Sequence, residues 1–293
     1  MSLVGRWIRY SWGKNDKKRD AGLTTPEDVA RMDNISYGID KMNVLDVYRP
    51  KSVRGKLPVI VSVHGGGWVY GDKDLYQHYC MSLAQRGFAV VNFSYRLSPE
   101  HKFPCHLKDT VKVFKWVLTH ASEYEFDTEN IFAVGDSAGG HILSLFCVMC
   151  SNPEYAAKYS FKVPEDFVPK AIALNCGVYD LNPEKQPAGS TMSLMKKHIL
   201  PGKGTEEELR DISTVNYITS QFPPCYIMTA NEDFLKEQPK ALIPKLEKAG
   251  VSYKYKLYGD EQNRLGHVFH LDMRNETGKM CNDEECTYFR SFM

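Results

Sequence analysis

The feature that most constrains this chain is a series of short runs, rich in β-branched and aromatic residues, with helical patterns between them. The runs fall at 43–48 (NVLDVY), 57–63 (LPVIVSV), 88–94 (FAVVNFS), 130–135 (NIFAVG), 170–175 (KAIALN), 224–230 (PCYIMTA) and 253–258 (YKYKLY). The middle runs are almost continuous in apolar residues. A strand with one wet face would alternate, so these read as strands covered on both faces, as in a parallel sheet. Between them, 106–120 sets Leu107, Val111, Phe114 and Leu118 on one stripe with Lys108, Lys112 and Lys115 off it. Residues 236–249 carry Leu242, Leu246 and Ala249, then Gly250 as a C-terminal stop. Strands alternating with helices predict one α/β domain over 1–293, with a mostly parallel central sheet flanked by helices.

Two segments break the rhythm. The first 40 residues, with Thr25-Pro26-Glu27-Asp28 as a helix start, precede the first convincing strand. Residues 178–220 lie between two strands and hold Pro183, Pro187, Gly189, Pro201 and Gly202 around short helical pieces. An insertion there can cover the strand ends, so 1–40 and 178–220 are expected to contribute a small helical cap.

Composition excludes several classes. Lys plus Arg is 37 against 36 for Asp plus Glu, and no concentrated basic surface is evident, so nucleic acid is not an expected partner. The run Lys14, Lys17, Lys18, Arg19 is mixed with Asp16 and Asp20 and reads as a solvated N-terminal stretch. No apolar run approaches the ~18 residues a membrane span needs, and no charged-then-apolar leader is visible. The eight cysteines are scattered, without a zinc spacing, and most sit in apolar runs as small hydrophobes; a reducing, cytoplasmic setting is expected. The C-terminal stretch 275–293, with Asn282-Asp283-Glu284-Glu285, reads as a terminal surface helix, and an edge-strand or helix-mediated homodimer is compatible with the sequence.

The sharpest chemical signal is Gly135-Asp136-Ser137-Ala138-Gly139, after the run 130–135 and before the apolar helical stretch from His141 to Met149. A nucleophile on a tight strand-to-helix turn has strained backbone angles, and flanking side chains would clash there. Its hydroxyl then stands at a helix N-terminus, where N–H groups and the helix dipole favour negative charge. The second signal is His64-Gly65-Gly66-Gly67-Trp68, directly after the run 57–63. Glycines at a strand end let bare backbone approach a ligand. For acyl transfer, the N–H groups of Gly66 and Gly67, with that of Ala138, would receive the tetrahedral oxyanion. The alternatives are a phosphate-cradling loop or a flexible turn, but the Gly-x-Gly-x-x-Gly spacing of a dinucleotide site is missing. His64 itself reads as a structural hydrogen-bonding residue.

These motifs carry a resemblance. With Tyr95-Arg96-Leu97-Ser98-Pro99-Glu100-His101, Phe103-Pro104, Asp109 and the extension to Gly140, the chain resembles the hormone-sensitive-lipase-like family of α/β-hydrolases, which includes many microbial carboxylesterases and acetyl esterases. The resemblance runs from about residue 36 to about residue 272. It implies an α/β-hydrolase fold, no metal or organic cofactor, and catalytic residues in the order Ser, Asp or Glu, His. Asp233, in Asn231-Glu232-Asp233-Phe234-Leu235, matches the family's Asp-x-Leu, with Glu232 as competitor. His267, in His267-Val268-Phe269, matches the family's His-x-Phe, with His270 as competitor. The loop 259–266 is longer than is common. Trp68, Tyr70, Tyr179 and Phe269 stand beside motif residues or strand ends, where they could line an acyl or alcohol pocket or simply pack. The function these features imply is hydrolysis of a small short-acyl ester, with acetyl esters as the narrower option, through an acyl-enzyme on Ser137. Two other classes share the features: a non-catalytic hydrolase-fold binding protein, and a peptidase or acyltransferase with the same triad.

Overall fold

In the computed structural model, which describes residues 3–185 and 198–293, one sheet of eight strands runs through the described residues in the order β1-β2-β4-β3-β5-β6-β7-β8. The strands are β1 (Val29–Ser36), β2 (Val44–Pro50), β3 (Leu57–Val63), β4 (Ala89–Phe93), β5 (Phe126–Asp136), β6 (Ile172–Asn175), β7 (Cys225–Ala230) and β8 (Tyr253–Tyr258). β1 pairs antiparallel with β2 and β2 with β4, and every later pair is parallel. The principal helices are α1 (Leu3–Asp20), α2 (Gln77–Gln85), α3 (Cys105–Thr119), α4 (Ala138–Ser151), α5 (Pro153–Ala156), α6 (Glu206–Asp211), α7 (Gln238–Ala249) and α8 (Glu276–Arg290). This is the α/β-hydrolase architecture.

The central strand β3 shows why its sequence is apolar throughout. Val59, Val61 and Val63 point to one face and pack in the same core as Leu107, Phe114, Leu143 and Phe146 of α3 and α4. Ile60 points to the other face, with Tyr79 and Leu83 of α2 and Cys286 and Phe289 of α8. Side chains alternate across a strand, so a sheet with helices on both sides needs apolar residues at every position. Each fully buried Val or Ile contributes about 1.5–3 kcal/mol of transfer free energy.

Two expectations about the ends of the chain need correction. The first 40 residues do not all precede the first strand: β1 lies among them and forms the sheet edge. The C-terminal helix is not merely a surface helix either. Cys281, Asn282, Glu285, Cys286 and Phe289 of α8 are buried, and Glu285 accepts hydrogen bonds from Tyr79 Oη (2.9 Å) and Asn175 Nδ2 (2.6 Å). Of the insertion 178–220, residues 186–197, with Pro187 and Gly189, lie outside the described residues. Around them, Ile199 and Leu200 are buried, and the backbone N–H of Phe103 bonds the Ile199 carbonyl (2.8 Å).

Candidate active site

The carboxyl ends of β3, β5, β7 and β8 open on the same side, the usual position for a site in a parallel sheet. Ser137 occupies the turn between β5 and α4 with φ 51° and ψ −119°. A non-glycine residue in the positive-φ region costs of order 1–3 kcal/mol and persists only where its surroundings hold it. Here the Ser137 N–H bonds the Asn175 carbonyl (3.0 Å), and the Ser137 carbonyl accepts from His141 N–H (3.2 Å). The turn also demands close backbone approach: a Cβ on Gly139 would lie 2.0 Å from the Val63 carbonyl oxygen.

Ser137 Oγ lies 2.9 Å from His267 Nε2, and His267 Nδ1 lies 2.8 Å from Asp233 Oδ1. Asp233 is almost fully enclosed. Burial opposes its ionisation, but the His267 hydrogen bond and charge, with the Leu235 N–H (2.8 Å), outweigh it and hold the carboxyl below its ordinary value. Its other oxygen accepts from Thr229 Oγ1 (2.9 Å). An ionised carboxylate only accepts, so His267 Nδ1 carries the proton, and Nε2 is left to accept from Ser137.

The loop bearing His267 is built against the loop bearing Asp233. Asn231 Oδ1 accepts from Leu265 N–H (2.9 Å), and Glu232 N–H donates to the Leu265 carbonyl (3.0 Å). The long segment 259–266 turns on Asp260, whose Oδ1 accepts the N–H groups of Gln262 and Asn263 (2.8 Å each). The structure separates the competing residues from this chain of bonds. Glu232 is half exposed and faces Arg264 at 3.6 Å, while His270 is fully buried, edge-on to the Tyr79 ring at 5.2 Å.

Gly66 and Gly67 have φ of 108° and 58°, and a Cβ on Gly66 would lie 2.0 Å from the Tyr70 carbonyl oxygen. Among the described residues, neither Gly66 nor Gly67 N–H donates to a protein acceptor, and the Ala138 N–H opens α4. Gly66, Gly67 and Ala138 line a cavity of about 640 Å³ that Ser137 and His267 also line. His64, stacked on Tyr95 at 4.0 Å with its Nδ1 2.7 Å from the Gly65 carbonyl oxygen, lies behind the loop; burial pushes it down to about 4.

Trp68 and Tyr70 line the cavity, but Tyr179 and Phe269 do not. Past the end of β6, Val178 lines the cavity, whereas Tyr179 is fully buried in the core. Phe269 packs on Tyr258, ring centroids 5.4 Å apart. Sequence reasoning missed Phe234, which is 75% exposed with its ring 4.4 Å from that of His267, and the inner face of α1. Trp12, Asn15, Asp16 and Arg19 all reach the cavity. Far from being simply solvated, Arg19 bonds Asp16 (3.0 Å), both oxygens of Asp20 (2.7 Å each) and the Leu75 carbonyl (2.9 Å), and Tyr70 Oη donates to Asp16 (2.7 Å). The spacing of Trp12, Asp16 and Arg19 at i, i+4, i+7 was the available signal for one face.

Among the described residues, the one cluster with metal-ligating groups close together is Cys176, Asp233 and His267. Burial pushes the Cys176 thiol well up, and the other two already bond each other. No described helix is long and apolar enough to cross a membrane.

Comparison with known proteins agrees with this geometry. The family pattern described as BD-FAE matches residues 45–245. The chain is 30% identical over 241 residues to the probable carboxylic ester hydrolase LipM of Mycobacterium tuberculosis, covering 79% of this chain and 55% of that one. It is 28% identical over 242 residues to versiconal hemiacetal acetate esterase of Dothistroma septosporum, covering 77% and 70%. The chain spans about half the length of most of the first curated relatives it matches. Esterase B from Lactobacillus rhamnosus HN001, a crystal structure, superposes with a TM-score of 0.86 at 26% identity over 98% of this chain and 94% of that one. With a family pattern covering more than half of its length on a sheet of this topology, the chain belongs to the BD-FAE family, within the hormone-sensitive-lipase-like α/β-hydrolases.

Proposed function

We propose that this protein hydrolyses carboxylic esters with short acyl chains through an acyl-enzyme on Ser137. The observation that carries the reading is the unbroken line of bonds from Ser137 Oγ through His267 to the buried Asp233, ending at a cavity that Gly66, Gly67 and Ala138 also line. In the proposed cycle, His267 Nε2 takes the Ser137 proton as Oγ attacks the ester carbonyl carbon. Asp233 holds the tautomer and stabilises the imidazolium. The carbonyl oxygen becomes an oxyanion received by the N–H groups of Gly66, Gly67 and Ala138; losing one such donor costs roughly 2.7–4 kcal/mol in the barrier. His267 then gives its proton to the leaving alcohol, and water repeats the sequence on the acyl-enzyme.

The chain is read as one α/β domain in which α1 and part of 178–220 form the cap. Trp68, Tyr70 and Phe234 would contact the substrate, and the similarity to an acetate esterase supports an acetyl group. The free cysteines among the described residues fit a cytoplasmic setting. Pairing of two chains would use the open β8 edge, where Leu257 is 51% exposed.

The test is a p-nitrophenyl ester series from acetate to decanoate, run beside a peptide substrate and Ser137→Ala. The expected result is a short-chain optimum, no peptide cleavage, and a loss of kcat on the order of 10⁶ in folded Ser137→Ala. A near-wild-type rate in that variant would overturn the nucleophile, and preference for the peptide would overturn the substrate class.

A further inference from the structure

A buried hydroxyl joins the two halves of the site, and the reaction cycle above does not use it. Tyr76 is the last residue of the short 3-10 helix Lys73–Tyr76 and is 6% exposed. Its Oη donates to Asp136 Oδ2 at 2.7 Å and accepts from Gly65 N–H at 2.8 Å. Asp136 immediately precedes Ser137, and Gly65 immediately precedes Gly66 and Gly67. One oxygen atom therefore bridges the segment that carries the nucleophile and the segment that carries two of the oxyanion amides.

The backbone is shaped around this bridge. Gly65 has no positive φ, so its glycine is not needed for conformation. It is needed for space: a Cβ there would lie 2.8 Å from Asp136 Oδ2 and 2.9 Å from Tyr76 Oη. The other ties on the loop hold different groups. Tyr95 Oη donates to the His64 carbonyl (2.9 Å), the Val69 and Tyr70 N–H groups bond the Gly66 carbonyl (3.2 and 3.0 Å), and Trp68 Nε1 bonds His141 Nδ1 (3.1 Å). None of these reaches the segment just before Ser137. We infer that Tyr76 and Asp136 are positioning residues that fix the oxyanion amides relative to Ser137 Oγ, so that their removal weakens binding of the tetrahedral species and not of the ground-state ester.

The inference rests on Ser137 being the nucleophile, and its test keeps the two separable. A trifluoromethyl ketone is the probe: Ser137 Oγ adds to its carbonyl carbon, His267 takes the serine proton, and the carbonyl oxygen becomes a hemiketal oxyanion facing the amides. For Tyr76→Phe, kcat on p-nitrophenyl acetate should fall about tenfold, the equivalent of one buried hydrogen bond lost, with KM within about twofold and the ketone Ki raised by the same factor as kcat falls. Asp136→Ala should behave like Tyr76→Phe, whereas Asp136→Asn keeps an acceptor for the Tyr76 hydroxyl and should retain more of both kcat and ketone affinity than Asp136→Ala. If Tyr76→Phe does not fold, the Asp136→Ala and Asp136→Asn pair decides. Unchanged kcat and Ki in folded Tyr76→Phe, or in Asp136→Ala, would overturn the inference. So would a loss of kcat/KM carried by a rise in KM alone. Activity surviving in Ser137→Ala would instead overturn the reading beneath it.

Discussion

Acid should destabilise this protein steeply, and four enclosed histidines set the slope. His64, His106, His141 and His270 are buried, and burial holds them at about 4, 3, 4 and 3. In an unfolded chain each would titrate near ~6.5. As pH falls through that value, the unfolded chain takes up protons that the native state refuses. The stability these groups contribute is whole above about pH 6.5 and is lost progressively towards pH 4 and 3. Two buried carboxyls act in the opposite sense. Burial pushes Asp136 up to about 6 and Glu285 up to about 7, so the native state protonates them before the unfolded chain does. Their buried charge penalises the fold above those values and is relieved on acidification. Four imidazoles against two carboxyls leave the unfolded chain about two protons ahead near pH 5, a slope of roughly 2–3 kcal/mol per pH unit. Urea unfolding followed by tryptophan fluorescence at half-unit steps from pH 7 to pH 4.5 measures this. His270 gives the sharper control, because both its ring nitrogens lack a protein partner among the described residues. His270→Phe should flatten the slope by about one proton, ~1.4 kcal/mol per unit. Stability that stays level or rises between pH 6 and 5, or an unchanged slope in His270→Phe, would refute the reasoning.

Three further outcomes follow from the site. Gly66→Ala puts a methyl 2.0 Å from the Tyr70 carbonyl oxygen at φ 108°, so the amides must move; kcat on p-nitrophenyl acetate should fall by about 10²–10³, measured with the fold checked by circular dichroism. Asp233→Asn keeps the shape but allows the other imidazole tautomer, and should lower kcat by about 10⁴ with KM little changed in steady-state kinetics. Phe234→Ala removes a ring that is 75% exposed, so urea unfolding should shift by less than about 0.5 kcal/mol, while KM for short p-nitrophenyl esters rises.

Much of the sheet was legible because buried strands announce themselves by unbroken apolar runs. β3, β4 and β7 fall within a residue of where the pattern puts them. β1 escaped because its sequence, VARMDNIS, is an edge strand with several exposed positions and no continuous apolar run. The turn at Ser137 was legible for a local reason, since strain and close approach both demand small neighbours. The proximity of Asp233 and His267 came from chain order and resemblance, since nothing in local spacing joins residues 34 positions apart. Around the cavity, sequence adjacency misled. Tyr179 follows a cavity residue yet is fully buried in the core, while Phe234, next to Asp233, lines the cavity. α1 was the hardest to read. A run of mixed charges looks solvated until the segment after β3 supplies Leu75 and Tyr70 as partners.

The central claim is a covalent one, that acyl groups pass through Ser137. The direct measurement is intact-mass and peptide mass spectrometry after brief exposure to a small alkyl fluorophosphonate, wild type beside Ser137→Ala. The account predicts one adduct per chain, on the peptide containing Ser137, in step with loss of esterase activity, and none in the variant. An adduct on another residue that tracks the loss of activity, or equal labelling of Ser137→Ala, would contradict it.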